Sequence, residues 1–293
     1  QYIMNFYILT SEWLIGLSRL VNVLPKTKTV VVINSLDKEY IDTAVSFCVE
    51  HGIVHHVTRS DGTPGTGKNS VIDLFLESDE DYIVPIDGDD YITPHGIGFY
   101  ERMAERGTVD CCVLYRQEAR KISEHGTHYV KYYPFDRSSP EFANNTIEGI
   151  LPYYTENQIA PDMETAMRWT LDRMEFNDLM YAHSEARESL CRITFLSRRA
   201  AELIHYDNTI MVGEDQLQYL QLKKIALDSK SISMVRHREK SNPTYIYMND
   251  KPSKRFIVGT RDWNWMRPFI ERVKAMYPLA ANTHLPEYID DVN

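Results

Sequence analysis

Three carboxylates, those of Asp87, Asp89 and Asp90, follow the apolar residues 82–86, and one glycine separates the first two. Burying unpaired carboxylates in an apolar core is costly, so we expect them at the C-terminal end of a strand, where open α/β sheets bind ligands. Closely spaced carboxylates suit a hard divalent cation that also contacts a substrate's phosphates. The alternative is an acidic turn before a helix that begins near Thr93, and this segment alone does not decide between the two.

A glycine-rich segment, residues 62–69, indicates a different chemistry. Its sequence, GTPGTGKN, has the spacing of a phosphate-binding loop up to the last position. Such loops hold phosphates with backbone N–H groups and a lysine, and they hold magnesium with a Ser or Thr hydroxyl. Here Asn69 occupies the hydroxyl position, and Ser70 follows one residue too late. A P-loop NTPase is therefore the less favoured interpretation.

Residues 1–90 alternate between patterns typical of strands and of helices. The β-branched run 29–33 is typical of a parallel strand covered on both faces. Residues 38–51 have apolar side chains at helical spacing and end at Gly52, and a helix before them is expected to have Ser11 as its N-cap. This alternation predicts an α/β fold with a doubly wound, mostly parallel sheet. The predicted strands are 5–10, 29–33, 53–57, 82–86, 110–115, 191–196 and 232–235, and the later predicted helices are 69–76, 96–106, 198–204, 214–227 and 263–276.

The composition is that of a globular protein, with 43% apolar and 25% charged residues in a chain of 293. No apolar run is long enough for a membrane span, no signal peptide is recognisable, and the four cysteines form no CxxC motif. We therefore expect a cytoplasmic protein with reduced thiols and no zinc site. The net charge of -10 argues against non-specific coating of nucleic acid.

The segment 236–274 has the opposite charge balance, with ten Lys and Arg against four Asp and Glu. Aromatic residues, including Trp263 and Trp265, are interleaved with these charges. The segment can bind a polyanion or a diphosphate; alternatively, it is a solvated helix face with aromatic residues in the core.

Four motifs, taken in order, resemble those of glycosyltransferases with the GT-A fold, and they are most similar to the large inverting family 2. The resemblance covers the first hundred residues and about 191–245. Gly67-Lys68-Asn69 resembles the family's "ArN" element, and Asp87-Gly88-Asp89-Asp90 resembles its DxD motif. Gly213-Glu214-Asp215 resembles the motif that carries the catalytic base, and Arg236-His237-Arg238 resembles the region of its C-terminal metal-binding histidine. The strand ends at Thr10 and before Asp37 depart from the family's usual turns, and the insert 116–182 matches no part of it.

The resemblance implies metal-dependent, inverting transfer of a sugar from a nucleotide-sugar, with a UDP-sugar as the expected donor. Asp89, with Asp87 or Asp90, would bind Mn²⁺ or Mg²⁺, and His237 would complete the site. Asp87 can instead hold the ribose. Asp215 would be the general base for the acceptor hydroxyl, with Glu214 as the alternative; both acids can instead merely stabilise a helix N-terminus.

The remaining implied contacts place the nucleotide. Lys68 would pair with charge near the nucleotide, and Asn69 would hydrogen-bond the nucleoside or an Asp. Thr10 and Asp37 would contact the base or ribose from the same sheet edge. Arg236 and Arg238 would close over the pyrophosphate, unless they serve only solubility.

The acceptor is open between a glycan and a hydroxylated base in DNA, as in some phage glycosyltransferases. For DNA, a flipped base would stack on Trp263 or Trp265. From another class, the chain can be a non-catalytic nucleotide-sugar-binding module. The predicted division is a nucleotide-sugar-binding half at 1–115, an insert that binds the acceptor at 116–190, a catalytic-base half at 191–250 and a helical basic-aromatic extension at 251–293.

Overall fold

The computed structural model describes residues 2–115, 117–122, 128–132, 144–185, 191–211, 213–237, 243–248, 263–282, 285–288 and 290. The strands within these ranges are β1 (Met4–Thr10), β2 (Thr29–Ile33), β3 (Val54–Val57), β4 (Tyr82–Asp87), β5 (Tyr91–Ile92), β6 (Cys111–Tyr115), β7 (Gln117–Ile122), β8 (His128–Tyr132), β9 (Cys191–Ser197), β10 (Met234–His237), β11 (Tyr245–Met248) and β12 (Glu287–Tyr288). The helices are α1 (Leu14–Val23), α2 (Lys38–His51), α3 (Pro64–Glu77), α4 (Pro94–Arg106), α5 (Ile147–Glu156), α6 (Met163–Glu185), α7 (Arg198–Ala201), α8 (Glu214–Ser229) and α9 (Met266–Asn282). Among the described residues, no helix combines the length and the apolarity that crossing a membrane requires.

A central sheet of eight strands has the order β12-β10-β6-β9-β4-β1-β2-β3. Strands β1, β2, β3 and β4 pair in parallel, and so do β6, β10 and β12. Strand β9 lies between these two groups and runs antiparallel to both β4 and β6. A smaller sheet has the order β5-β11-β7-β8. The prediction of an α/β fold with a mostly parallel sheet is confirmed.

Both faces of the central sheet are covered by helices. Along β1, Tyr7 packs into one hydrophobic cluster with α3, α8 and α9, whereas Phe6 and Ile8 pack into a second cluster with α1, α2 and α4. This alternation follows from the two-residue period of a strand. It explains why these strands read as continuous apolar runs in the sequence.

Local capping signals explain several helix boundaries and correct others. Helix α2 matches its predicted range because Asp37 caps its start and Gly52, in the left-handed conformation, ends it. The prediction that Ser11 caps α1 is wrong, because α1 begins only after Trp13 and has no side-chain cap. Helix α3 starts earlier than predicted, because Thr63 caps it and Pro64 suits its first turn.

Part of the insert 116–190 is helical. Helix α5 packs against α6, and Tyr154 of α5 contacts Trp169 of α6 and Trp263 near α9. The buried aromatic rings extend the cluster that covers one face of the central sheet. The four-part division of the chain remains a prediction.

Candidate active site

Several strand ends meet at one edge of the central sheet. The parallel strands β1, β2 and β4 end there, and the antiparallel β9 begins there. The second turn of α3 and the first turn of α8 reach the same place, since Lys68 of α3 contacts Asp215 of α8. Among the residues predicted to form the site, Lys68, Asp87, Glu214 and Asp215 are therefore brought together.

The turn after β4 holds the three carboxylates close to one another. One oxygen from each of Asp87, Asp89 and Asp90 can be chosen so that all lie within 4.8 Å of one another. The turn packs tightly on β1: the N–H of Gly88 donates to the Leu9 carbonyl at 2.6 Å. Such a set of hard oxygen donors fits Mg²⁺ or Mn²⁺.

Asp90 links this turn to β11. It is fully buried, and its oxygens accept hydrogen bonds from the Tyr245 hydroxyl at 2.5 Å and the Met248 N–H at 3.3 Å. Burial raises the pKa of Asp90 to about 8, although the Arg192 guanidinium opposes the shift. Asp90 thus anchors β11 to the site, which leaves Asp87 and Asp89 as the better-placed cation ligands.

Arg192, which the sequence did not indicate, occupies the centre of the site. Its Nη2 lies 2.8 Å from Asp87 Oδ1, and its Nη1 lies 3.3 Å from Asp90 Oδ2 and 3.9 Å from Asp215 Oδ2. The guanidinium carbon lies 4.9 Å from the centre of the Tyr245 ring. Burial lowers the pKa of Arg192, but the Asp87 carboxylate and its neighbours raise it, and the net pKa is well above its usual range.

A register shift explains why Arg192 was missed. The β6–β9 pairing shifts between Cys112 and Val113. As a result Ile193 and Leu196 pack into the same hydrophobic cluster, which strict alternation along β9 would not allow. A sequence pattern of period two therefore gives no guide to the direction of Arg192.

Lys68 joins the two acids at the start of α8. Its Nζ donates to Glu214 Oε1 at 2.6 Å and to Asp215. Burial lowers the pKa of Lys68, but the carboxylates of Asp215 and Glu214 raise it well above its usual range. Burial also raises the pKa of Glu214. The Asp215 side chain is 28% exposed against 9% for Glu214, so Asp215 is the more accessible of the two acids.

Asn69 holds the segment before α8. Its Nδ2 donates to the Tyr206 carbonyl and its Oδ1 accepts from the Tyr206 N–H, both at 2.8 Å. Both polar atoms of the amide are thus used within the protein. Contact between Asn69 and a nucleoside remains a prediction that these bonds do not support.

Thr10 and Asp37 lie at the edge of the central sheet where β1 and β2 end, as predicted. The buried Thr10 hydroxyl is hydrogen-bonded to the Tyr40 hydroxyl. The exposed Asp37 carboxylate accepts the N–H groups of Glu39 and Tyr40 as the cap of α2. Their contacts with a base or ribose stay predictions.

The structure does not bring His237 to the carboxylates. Strands β6 and β9 separate its strand, β10, from β4. The His237 ring lies 4.2 Å from the Phe99 ring, and burial lowers its pKa. Among the described residues, the group able to hold a metal contains the three aspartates and no histidine. The prediction that His237 completes the cation site is therefore not supported.

Arg236 and Arg238 are the predicted contacts to the pyrophosphate. Arg236 also lies on β10, where its N–H donates to the Pro286 carbonyl at 2.9 Å. Arg238 falls outside the described residues. Their closure over a pyrophosphate remains a prediction.

The structure does not support the prediction that Trp263 and Trp265 stack on an acceptor. Both side chains are buried, at 3% and 7% exposure. Trp263 packs on Tyr154, and Trp265 packs on Phe176. These rings belong to the core, as the alternative interpretation of this segment expected.

Residues 62–69 do not form a phosphate-binding loop, because α3 begins at Pro64. The glycines serve close packing instead. A Cβ on Gly65 would lie 2.8 Å from the Asp207 carbonyl, and one on Gly67 would lie 3.1 Å from Leu9. Lys68 is directed at two carboxylates rather than at a loop that could hold phosphates.

The chain is similar to solved structures of TarS from S. aureus. The structure of TarS 1–349 has a TM-score of 0.47 and 13% sequence identity, with 83% of this chain and 60% of that chain covered. Its complex with UDP-GlcNAc has a TM-score of 0.48 and 12% identity, with 86% and 61% covered. A further TarS structure has a TM-score of 0.46 and 13% identity, with 83% and 36% covered. This chain thus spans about 60% of the TarS 1–349 structures. No family model and no curated protein matches it.

Proposed function

We propose that this protein is a GT-A-type glycosyltransferase that transfers a sugar from a nucleotide-sugar, with a UDP-sugar as the expected donor, to an acceptor hydroxyl. One observation carries the proposal. The Asp87–Asp90 carboxylates and the Glu214–Asp215 pair, which the sequence separates widely, meet at one sheet edge and are joined by Lys68 and Arg192. Open α/β sheets bind ligands at this edge.

The charge of the site supports a divalent cation. Lys68 and Arg192 pair with Asp87, Asp90, Glu214 and Asp215, and Asp89 lies beside Asp87 and Asp90. Even with Asp90 protonated, which its raised pKa of about 8 favours at neutral pH, the carboxyl groups outnumber the two basic side chains. Asp87 and Asp89 would hold Mn²⁺ or Mg²⁺ with oxygen ligands. When bound, the cation would stabilise the negative charge of the departing diphosphate.

Asp215 is the proposed general base. Lys68 contacts one of its oxygens, and Arg192 lies 3.9 Å from the other, so the carboxylate is held in a defined orientation. It is also the more exposed of the two acids. Asp215 would take the proton of the acceptor hydroxyl as its oxygen attacks the sugar and the nucleoside diphosphate leaves. This is a single displacement with inversion.

The nucleotide would lie along the ends of β1, β2 and β4. Thr10 and Asp37 are the proposed contacts on the base or ribose side, and Lys68 is the proposed charge near the nucleotide. For the acceptor, we propose a glycan hydroxyl. The burial of Trp263 and Trp265 favours this acceptor over DNA, because neither ring is exposed for a flipped base to stack on.

A donor panel tests the proposal. The protein is incubated with UDP-sugars and Mn²⁺, and UDP release is measured alone, with oligosaccharides and with duplex DNA containing hydroxylated bases. Asp215→Asn should lower turnover by about 10²–10⁴-fold while UDP affinity stays close to wild type. Asp89→Ala should lose Mn²⁺-dependent UDP binding. Asp228→Asn, at the exposed end of the same helix, is the matched control.

The outcomes separate the alternatives. Binding of UDP with Mn²⁺ without release from any UDP-sugar would identify a binding module rather than an enzyme. Transfer to DNA with steep salt dependence would overturn the glycan acceptor. Turnover of Asp215→Asn equal to that of Asp228→Asn would reject the general base.

A further inference from the structure

Arg192 contacts three carboxylates from two different parts of the chain. It reaches Asp87 and Asp90 in the turn after β4 and Asp215 at the start of α8. Its side chain is 16% exposed, and one face of the guanidinium lies over Tyr245. A planar group held by partners on several sides has little freedom to reorient.

We propose that Arg192 is a positioning residue that couples the cation site to the catalytic base. It fixes Asp87 relative to Asp215, and it supplies positive charge to the carboxylates before a divalent cation does so. This inference rests on the proposed function, because it takes Asp87 as a cation ligand and Asp215 as the base. A guanidinium suits the role because its two terminal nitrogens can contact different carboxylates at once.

The contact with Asp87 predicts competition between Arg192 and the cation. A guanidinium nitrogen 2.8 Å from an Asp87 oxygen repels any metal ion held by the same carboxylate. Replacing Arg192 by a neutral side chain of similar length removes this repulsion. Mn²⁺ affinity should therefore rise on the order of tenfold or more.

The contact with Asp215 predicts the opposite effect on catalysis. Without Arg192, one oxygen of the base loses its neighbouring cation. A displacement of about 1 Å in a catalytic group can cost roughly 100-fold in rate. The expected result is a fall in kcat of about that size at a nearly unchanged KM for the donor. Tighter metal binding with slower turnover is not what a general loss of structure would produce.

The experiment compares four proteins: the wild type, Arg192→Gln, Arg192→Lys and Arg199→Gln. Arg199 is the matched control, because it pairs with Asp110 beyond the opposite end of β9. Calorimetric titration with MnCl₂ is done without nucleotide, so this readout does not depend on transfer. Arg192→Gln should bind Mn²⁺ more tightly and should gain more in Tm from Mn²⁺ than the wild type does. Arg199→Gln should bind Mn²⁺ as the wild type does.

Arg192→Lys separates charge from geometry. A lysine keeps the positive charge but has one nitrogen in place of two, so Mn²⁺ affinity should stay near wild type while kcat stays reduced. If Arg192→Gln does not fold, the Mn²⁺ affinity and kcat of Arg192→Lys test the inference.

Three results would contradict the proposed role of Arg192. Unchanged or weaker Mn²⁺ binding by Arg192→Gln overturns the inference, as does wild-type kcat in Arg192→Lys or the absence of Mn²⁺ binding by the wild type. Tighter Mn²⁺ binding by Arg192→Gln without transfer from any donor by the wild type would reject the proposed function and leave the coupling of Arg192 to the cation site standing.

Discussion

The ammonium of Lys68 donates a hydrogen bond to Asp215, although 147 positions separate the two residues in the chain. The same nitrogen contacts Glu214 at 2.6 Å. Lys68 and Glu214 are both nearly buried, at 8% exposure each. Helices α3 and α8 are therefore joined by charges with little access to water, which makes each charge dependent on the other.

Replacing Lys68 by methionine should lower the free energy of unfolding by about 3–5 kcal/mol, because Glu214 would stay buried without its cation. The measurement is urea denaturation. Combining Lys68→Met with Glu214→Leu should recover most of the loss, since an apolar pair of similar volume often replaces a buried ion pair without cost.

The control for this prediction is Lys224→Met. It breaks the exposed pair between Lys224 and Asp228 within α8 and should change stability by about 0.5 kcal/mol or less. Equal effects of the Lys68 and Lys224 substitutions would show that the buried pair contributes no more than a surface pair.

Helix α1 lies directly against the carboxylate turn. A Cβ on Gly16 would lie 2.2 Å from the Gly88 carbonyl oxygen and 3.1 Å from the Asp89 Cα. Arg19, one turn later, donates to the Asp89 carbonyl at 2.9 Å. Both neighbours of Gly16 are backbone atoms, so the turn has to move to accept a methyl group.

Gly16→Ala should therefore lower the free energy of unfolding by about 1–3 kcal/mol and weaken Mn²⁺ binding. Gly98→Ala, within α4, is the matched control: its new Cβ would meet only the end of the flexible Arg102 side chain among close neighbours, at 3.1 Å. That variant should gain up to about 1 kcal/mol in helix stability and bind Mn²⁺ normally. Normal Mn²⁺ binding by Gly16→Ala would show that the turn tolerates the shift.

Local signals predicted much of the fold. Strand β2 is a β-branched run, and α2 has both an aspartate cap and a stop glycine, so both match their predicted ranges. The placement of the three aspartates at a strand end followed from the cost of burying charge. Each of these inferences needed only neighbouring residues.

The order and the direction of the strands could not be predicted from neighbouring residues in the sequence. His237 ends β10, two residues beyond the end of the predicted strand, and only the order of the strands shows that β6 and β9 separate it from β4. Arg192 reaches the site because β9 is antiparallel and its pairing shifts register. Trp263 has charged residues near it in the sequence, and only tertiary packing shows that it is buried.

Asp110 ties three strands together beyond the opposite end of the sheet. Its carboxylate accepts hydrogen bonds from the Ser197 hydroxyl at 2.8 Å and the Ser233 N–H at 2.7 Å, and it pairs with Arg199. Burial raises the pKa of Asp110, but the hydrogen bonds from Arg199, Ser233 and Ser197 hold it below its usual range.

A folded-state pKa below the unfolded value gives stability that is present above the unfolded pKa and is lost as the pH falls through the folded one. Asp110→Asn should therefore lower the free energy of unfolding by about 1–3 kcal/mol at neutral pH, because an amide cannot accept all these bonds. The difference from wild type should shrink below about pH 4, where the wild-type carboxylate is protonated on unfolding. Urea denaturation at neutral and acidic pH measures both values, with Asp42→Asn on the exposed face of α2 as the control. A difference that stays constant between the two pH values would mean that the shape of the side chain, rather than its ionisation, supports the three strands.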